Sequence, residues 1–180
     1  KKIKISGFHT TPGDMDAGQT YYQSAYEAYI NGIDSGCIVD IDGDGCAFSV
    51  IEIDAKDNIE FSNLYLHNTD TLSGNHCVYG KNLSCGLRFE GCFFDTAYRG
   101  VAGLDNGNAP VDGLLMQNCY SGPNHDKGAI AKVTGVLNFI TGCVADVKVG
   151  KAGIIVEGSG GIFNNLVINA GNGVAGNGSV

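Results

Sequence analysis

The stretch Phe89-Glu90-Gly91-Cys92-Phe93-Phe94-Asp95-Thr96 sets two short apolar runs on either side of a glycine and a cysteine. Each run suits a few extended residues and is too short for a helix, and no loop separates them. The arrangement recurs. Phe61-Ser62-Asn63-Leu64 lies upstream, and Met116-Gln117-Asn118-Cys119, Ile140-Thr141-Gly142-Cys143 and Phe163-Asn164-Asn165-Leu166 follow downstream. In all five an apolar residue stands three positions before a Leu or Cys, and Asn or Gly immediately precedes that Leu or Cys. The steps between them are 28, 27, 24 and 23 residues, a period that signals a solenoid.

The Asn/Gly position has a physical cause. Gly, and less readily Asn or Asp, enters the left-handed backbone region at low cost. One such residue between two strands turns the chain sharply, so that the apolar residues on both sides point into one interior. A second set recurs in the gaps: Val50-Ile51-Glu52-Ile53, Cys77-Val78-Tyr79, Gly100-Val101-Ala102, Ala129-Ile130-Ala131 and Gly153-Ile154-Ile155-Val156. Each coil therefore reads as three short strands with a one-residue bend, stacked in parallel at about 4.8 Å per coil. A leucine-rich repeat would need denser leucines and a helix per repeat, and the uneven spacing excludes rigid hexapeptide repeats. The expectation is an all-β chain, a parallel β-helix solenoid of about six coils.

The segment from Phe61 to Ile168 resembles the right-handed parallel β-helix of the pectin-lyase-like superfamily, which also includes viral tailspike domains. The resemblance covers roughly two-thirds of the chain. It implies architecture and leaves the chemistry open, because this fold hosts lyases, hydrolases, adhesins and inert fibres.

The length of 180 residues suits one domain, residues 1–180, and 28 glycines suit a molecule built from tight bends. A net charge of −8 argues against a nucleic-acid backbone as partner, and no run has the length and apolarity of a membrane span. Lys2-Ile3-Lys4-Ile5 already reads as a strand, and residues 158–180 read as a Gly-rich terminal coil. With no capping helix in sight, the chain is expected to be part of a longer polypeptide or to have its ends covered by other chains. Among seven cysteines, Cys92, Cys119 and Cys143 share the inward column as small apolar residues. Cys37, Cys46, Cys77 and Cys85 leave room for one disulfide.

The repeat breaks over residues 9–36. Tyr22, Ala25, Tyr26, Tyr29 and Ile30 fall on one helical face, with Asp16 or Thr20 able to cap the start and Gly32 the end. This reads as a loop insertion carrying a short helix against the side of the solenoid, before a strand from Ile38 to Ile41.

Several motifs bear on chemistry. Asp40, Asp42, Asp44 and Gly45 match the start of an EF-hand loop, but the required Glu falls on Ile51, and an Asp-Gly turn between strands is the simpler account. They are kept as metal candidates, and no cofactor is expected. Asn68-Thr69-Asp70 resembles the Asn-Thr-Asp of polygalacturonase-type hydrolases, yet no downstream aspartate pair, Gly-His-Gly or Arg-Ile-Lys accompanies it. Pectate lyases place acidic calcium ligands on the outer face of one strand column; here that column reads Glu52, Tyr79, Ala102, Ala131 and Ile155. What remains for an enzyme is a loop-edge group of His67, Asp70, His76, Asp95, Tyr98 and Arg99, with His67 and Asp95 at equivalent positions of adjacent coils. Tyr65, Phe93 and Tyr120, continued by Val144 and Val167, form an outward apolar column. Its cover is the helical insertion, a neighbouring subunit or a sugar face.

Two functions follow as expectations. One is a non-catalytic structural or attachment module of the phage-tail or surface-fibre type, homotrimeric, extracellular or on a virion, with Tyr65, Phe93 and Tyr120 as a carbohydrate-binding surface. The alternative is a polysaccharide lyase or glycoside hydrolase working around His67, Asp95, His76 and Arg99.

Overall fold

The computed structural model describes residues 1–7, 24–33, 39–43, 49–68, 76–81, 84–95, 99–102, 111–125, 130–147, 150–168 and 172–176. The first turn contains β1 (Ile3–Ser6), α1 (Ala25–Asn31), β2 (Val39–Asp42) and β3 (Ile51–Asp54). The second contains β4 (Ile59–Ser62), β5 (Leu64–His67), β6 (His76–Lys81) and β7 (Ser84–Cys85), and the third β8 (Arg88–Glu90), β9 (Phe93–Asp95), β10 (Arg99–Ala102) and β11 (Val111–Asp112). Then come β12 (Leu115–Gln117), β13 (Tyr120–Ser121), the long β14 (Ala131–Thr141), β15 (Val144–Asp146), the long β16 (Ala152–Phe163), β17 (Leu166–Ile168) and β18 (Asn172–Gly176).

Every pairing joins a strand to its counterpart one turn away, and every pairing is parallel. The chain is therefore a parallel β-solenoid with three sides. One side stacks β1, β4, β8, β12 and the later halves of β14 and β16; the next stacks β2, β5, β9, β13, β15 and β17. The last stacks β3, β6 and β10 on the earlier halves of β14 and β16, followed by β18. The regular part, from Phe61 through Phe89, Met116 and Ile140 to Ile162, makes about four turns instead of the six expected. The first turn is long because the insertion with α1 leaves the stack after Gly7 and returns as β2.

The corner between the first two sides is the bend legible in the repeat. Asn63, Gly91, Asn118 and Gly142 all have left-handed backbones, with φ of 54°, 58°, 48° and 63°. The fifth corner is Asn164 (φ 53°), one residue earlier than the repeat suggests. Ile140 pairs with Ile162 and Val144 with Leu166, so the last step is 22 residues. Phe163 consequently faces out at 55% exposure, while Asn165 takes the place of Cys143 one turn on. An ordinary residue loses about 1–2 kcal/mol in this conformation. Burial of the two flanking side chains returns about 2 kcal/mol each, which outweighs even that penalty.

A second left-handed corner, between the third side and the first, has no counterpart in the repeat motif. Asn58, Gly86, Gly113 and Leu137 occupy it, with φ of 59°, 65°, 67° and 60°, and backbone hydrogen bonds stack them in register.

Inside, Phe61 and Phe89 stack at 5.0 Å, and Met116 and Ile140 continue the column. Cys92, Cys119 and Cys143 line the next column, each thiol donating to the carbonyl two residues back (Glu90, Gln117 and Thr141, at 3.6, 3.3 and 3.4 Å). Burial, together with the neighbouring thiols, raises the Cys119 pKa well above its ordinary value, so this thiol stays protonated. Asn165 closes the ladder: its Oδ1 accepts the Cys143 N–H at 2.8 Å and its Nδ2 donates to Ile140 O. Cys77 and Cys85 are free thiols, whereas Cys37 and Cys46 lie outside the described residues.

At Gly142 the space for a side chain is open, the nearest atom being 3.9 Å from an added Cβ, so only backbone strain opposes substitution. Gly142→Val is expected to destabilise the chain by about 1–2 kcal/mol and Gly142→Asn by clearly less, measured by denaturant unfolding.

Candidate functional site

The outer face of the second side carries the expected aromatic column. Asp40, Tyr65, Phe93, Tyr120, Val144 and Leu166 are register partners in successive turns. The last member is Leu166 where the sequence suggested Val167, because the corner falls at Asn164.

Helix α1 lies across this column. Ser24 caps it through a capping box with Glu27, and Gly32 (φ 82°) ends it as expected. Asp16 and Thr20, the caps read from the sequence, lie outside the described residues, as does Tyr22. The packed face is also different: Ala25 and Ala28 are buried, whereas Tyr26 and Ile30 are more than half exposed. Two alanines let the helix come close to a sheet already crowded by rings. Ala25 and Ala28 form one cluster with Phe93, Tyr120 and Val144, flanked by Tyr29, Ile33 and Tyr65. The corner residue Asn118 fixes the docking, its Oδ1 accepting the Ala25 N–H at 3.0 Å. Phe93 and Tyr120 are left 1% and 6% exposed. Of the three covers considered, this chain's own helix is the one in place, and of the three proposed binding residues only Tyr65 keeps part of its surface exposed.

Beyond the helix end an open cleft of about 460 Å³ is lined by Gly32, Ile33, Asp40, Tyr65, His67, Asp95 and Tyr120. His67 and Asp95 are indeed register partners on β5 and β9. The close contacts of His67 point the other way: Nε2 meets Asp40 Oδ1 at 2.8 Å, Nδ1 faces Asp42 Oδ1 at 3.5 Å, and the ring stacks on Tyr65 at 4.6 Å. Asp40 and Asp42, read as metal candidates, thus serve as partners of a histidine one turn on; Asp44 lies outside the described residues. Asp95 bonds to the following turn, accepting from the Asn124 backbone N–H at 3.2 Å and from Asn124 Nδ2 at 2.9 Å. Gly122 leaves room for this carboxylate, since a Cβ there would meet it at 2.7 Å.

The remaining candidates lie elsewhere. His76 is buried at the start of β6, stacked on Tyr79 at 5.2 Å and in register with Arg99 of β10, on the third side of the solenoid. Asp70 and Tyr98 fall outside the described residues. The outward column of the third side holds Glu52, Tyr79, Lys132 and Ile155, with Ala102 the backbone register partner of Tyr79 and Lys132; Ala131 is buried and pairs with Val101. Substituting Lys132 for Ala131 makes this column still less suited to a divalent cation. Among the described residues no three His, Cys, Asp or Glu side chains are grouped to hold a metal ion, and no helix is long and apolar enough to cross a membrane.

No family model matches the chain, and neither a curated protein nor a solved structure matches it.

Burial under the helix, with Asp146, Asp95 and Tyr29 nearby, pushes the Tyr120 pKa up to about 12. The unfolded chain ionises this phenol near pH 10. Its share of the stability is therefore constant below pH 10 and lost as pH rises towards 12. Denaturant unfolding between pH 8 and 12 is expected to show that loss in the wild type and a smaller one in Tyr120→Phe.

Proposed function

We propose that this chain is a non-catalytic structural or attachment module of the tail- or surface-fibre type, self-associating and working on a virion or in an extracellular setting. The observation carrying this reading is that the polar groups around the cleft tie neighbouring turns together. His67 joins β5 to Asp40 and Asp42 of β2, and Asp95 holds Asn124 of the next turn. Asp95 already accepts one bond from Asn124 at each carboxylate oxygen, so both cleft groups have structural partners within the chain. The parallel solenoid supplies a stiff rod, which suits a spacer more readily than a hinged enzyme. The covered aromatic column adds to this, because its apolar area already serves the fold.

A second reading has the cleft in its favour. Asp40, His67 and Asp95 line one open concavity with Tyr65 and Tyr120, a set compatible with a polysaccharide lyase or glycoside hydrolase.

Incubation with a panel of acidic and neutral polysaccharides separates the two. The module reading expects neither unsaturated products nor new reducing ends. Product formed by the wild type and lost in Asp95→Ala replaces it with the enzymatic one.

A further inference from the structure

The corner formed by Asn58, Gly86 and Gly113 changes character in the next turn, where Leu137 stands in the same left-handed conformation. A bulky residue in that conformation is an outlier, and the previous turns show that Asn or Gly fits the place. Leu137 is moreover 62% exposed, so burial within its own chain does not offset the strain. Its neighbours are of the same kind. Val136 and Phe139 are 48% and 41% exposed, and Asn138 between Leu137 and Phe139 points inward, which directs both flanking side chains outward. In the next turn Gly161 pairs with Phe139, and the rings of Phe163 and Phe139 both lie over it. The result is a continuous apolar strip running around one edge of the solenoid.

We propose that this strip, centred on Leu137 and Phe163, is where a second copy of this chain docks. The proposal rests on the self-associating module reading and gives that self-association a surface. Two observations favour a second copy as the occupant. The first is area: at ~200 Å² for a whole aromatic side chain and somewhat less for valine and leucine, the four exposed residues leave on the order of 350 Å² in water. Two copies face to face would remove on the order of 700 Å², which is the apolar share of an interface of about 1,200 Å², the lower end of specific association. The second is charge. The chain carries −8, so copies repel one another except across an uncharged face. Around the two phenylalanines the register neighbours Leu115, Gln117 and Thr141 carry no charge, and Asp112 at the rim is engaged with the Val136 N–H at 2.8 Å.

The strained corner supplies a discriminating test. Leu137→Asn places a residue suited to the left-handed backbone and removes the apolar anchor together. Sedimentation velocity across a wide concentration range, alongside calorimetric melting, is applied to the wild type, Leu137→Asn and Phe163→Ser. Reversible association of the wild type is expected, weakened at least tenfold in both variants, with the melting point of Leu137→Asn at low concentration unchanged or up by about 2 °C. Association as strong in both variants as in the wild type overturns this surface and leaves the module reading intact. A wild type monomeric at every concentration overturns self-association as well. A monomer that binds an immobilised polysaccharide through Leu137 and Phe163 overturns the second copy in favour of a sugar. The polysaccharide-degradation assay is independent of all three outcomes.

Discussion

An L-amino acid turns its backbone to the left only against steric resistance, and this chain does so at two corners of nearly every turn. The cost is tolerable because each corner lets two strands meet with their apolar residues directed to one interior. It also has to recur in register. A corner moved by one residue sends the following side chains to the opposite face. Asn164 shows the consequence: taking the bend there, and not at Asn165, puts Ile162 in the core column and leaves Phe163 in water.

The corner sets the chemistry of the residue after it. That position points inward yet sits close to the carbonyl two residues back, so a side chain there does best if it is small, apolar and able to donate weakly. Cysteine meets all three demands, and Cys92, Cys119 and Cys143 each make this contact. Leu64 begins the column as a plain apolar residue, and Asn165 ends it where burial is no longer complete and an amide can reach two backbone groups. These three cysteines are therefore accounted for by packing in this column.

The first corner and the three-sided stack were legible because Asn or Gly stands between apolar residues in every copy. The second corner was missed although Asn58, Gly86 and Gly113 each precede an apolar residue (Ile59, Leu87 and Leu114), because Leu137 followed by Asn138 breaks the pattern in the last member. The adjacent Asn164 and Asn165 made the final bend ambiguous, since either tolerates a left-handed backbone. The partners of His67 could not be read because β2 follows a long insertion, and its register against β5 is a tertiary matter. On α1, tyrosine and isoleucine outweigh alanine in any hydrophobic pattern. Close approach to a ring-covered sheet nevertheless favours Ala25 and Ala28, which leaves Tyr26 and Ile30 in water.

The helix also decides what kind of surface the second side can be. Without it, Tyr65, Phe93 and Tyr120 would form a wet aromatic stripe of the sort that binds sugars or other proteins. With it, two of the three rings become core, and the stripe shrinks to Tyr65 and a cleft whose acidic groups already have partners. Apolar surface in water persists instead on the adjoining first side and at its far corner, around Phe163 and Leu137, where no element of the described chain lies over it. A solenoid stacks its turns so regularly that strain and exposure are both avoidable at any one corner. Their coincidence at Leu137, one turn after two glycines, makes contact with something outside the chain the economical physical account of that residue.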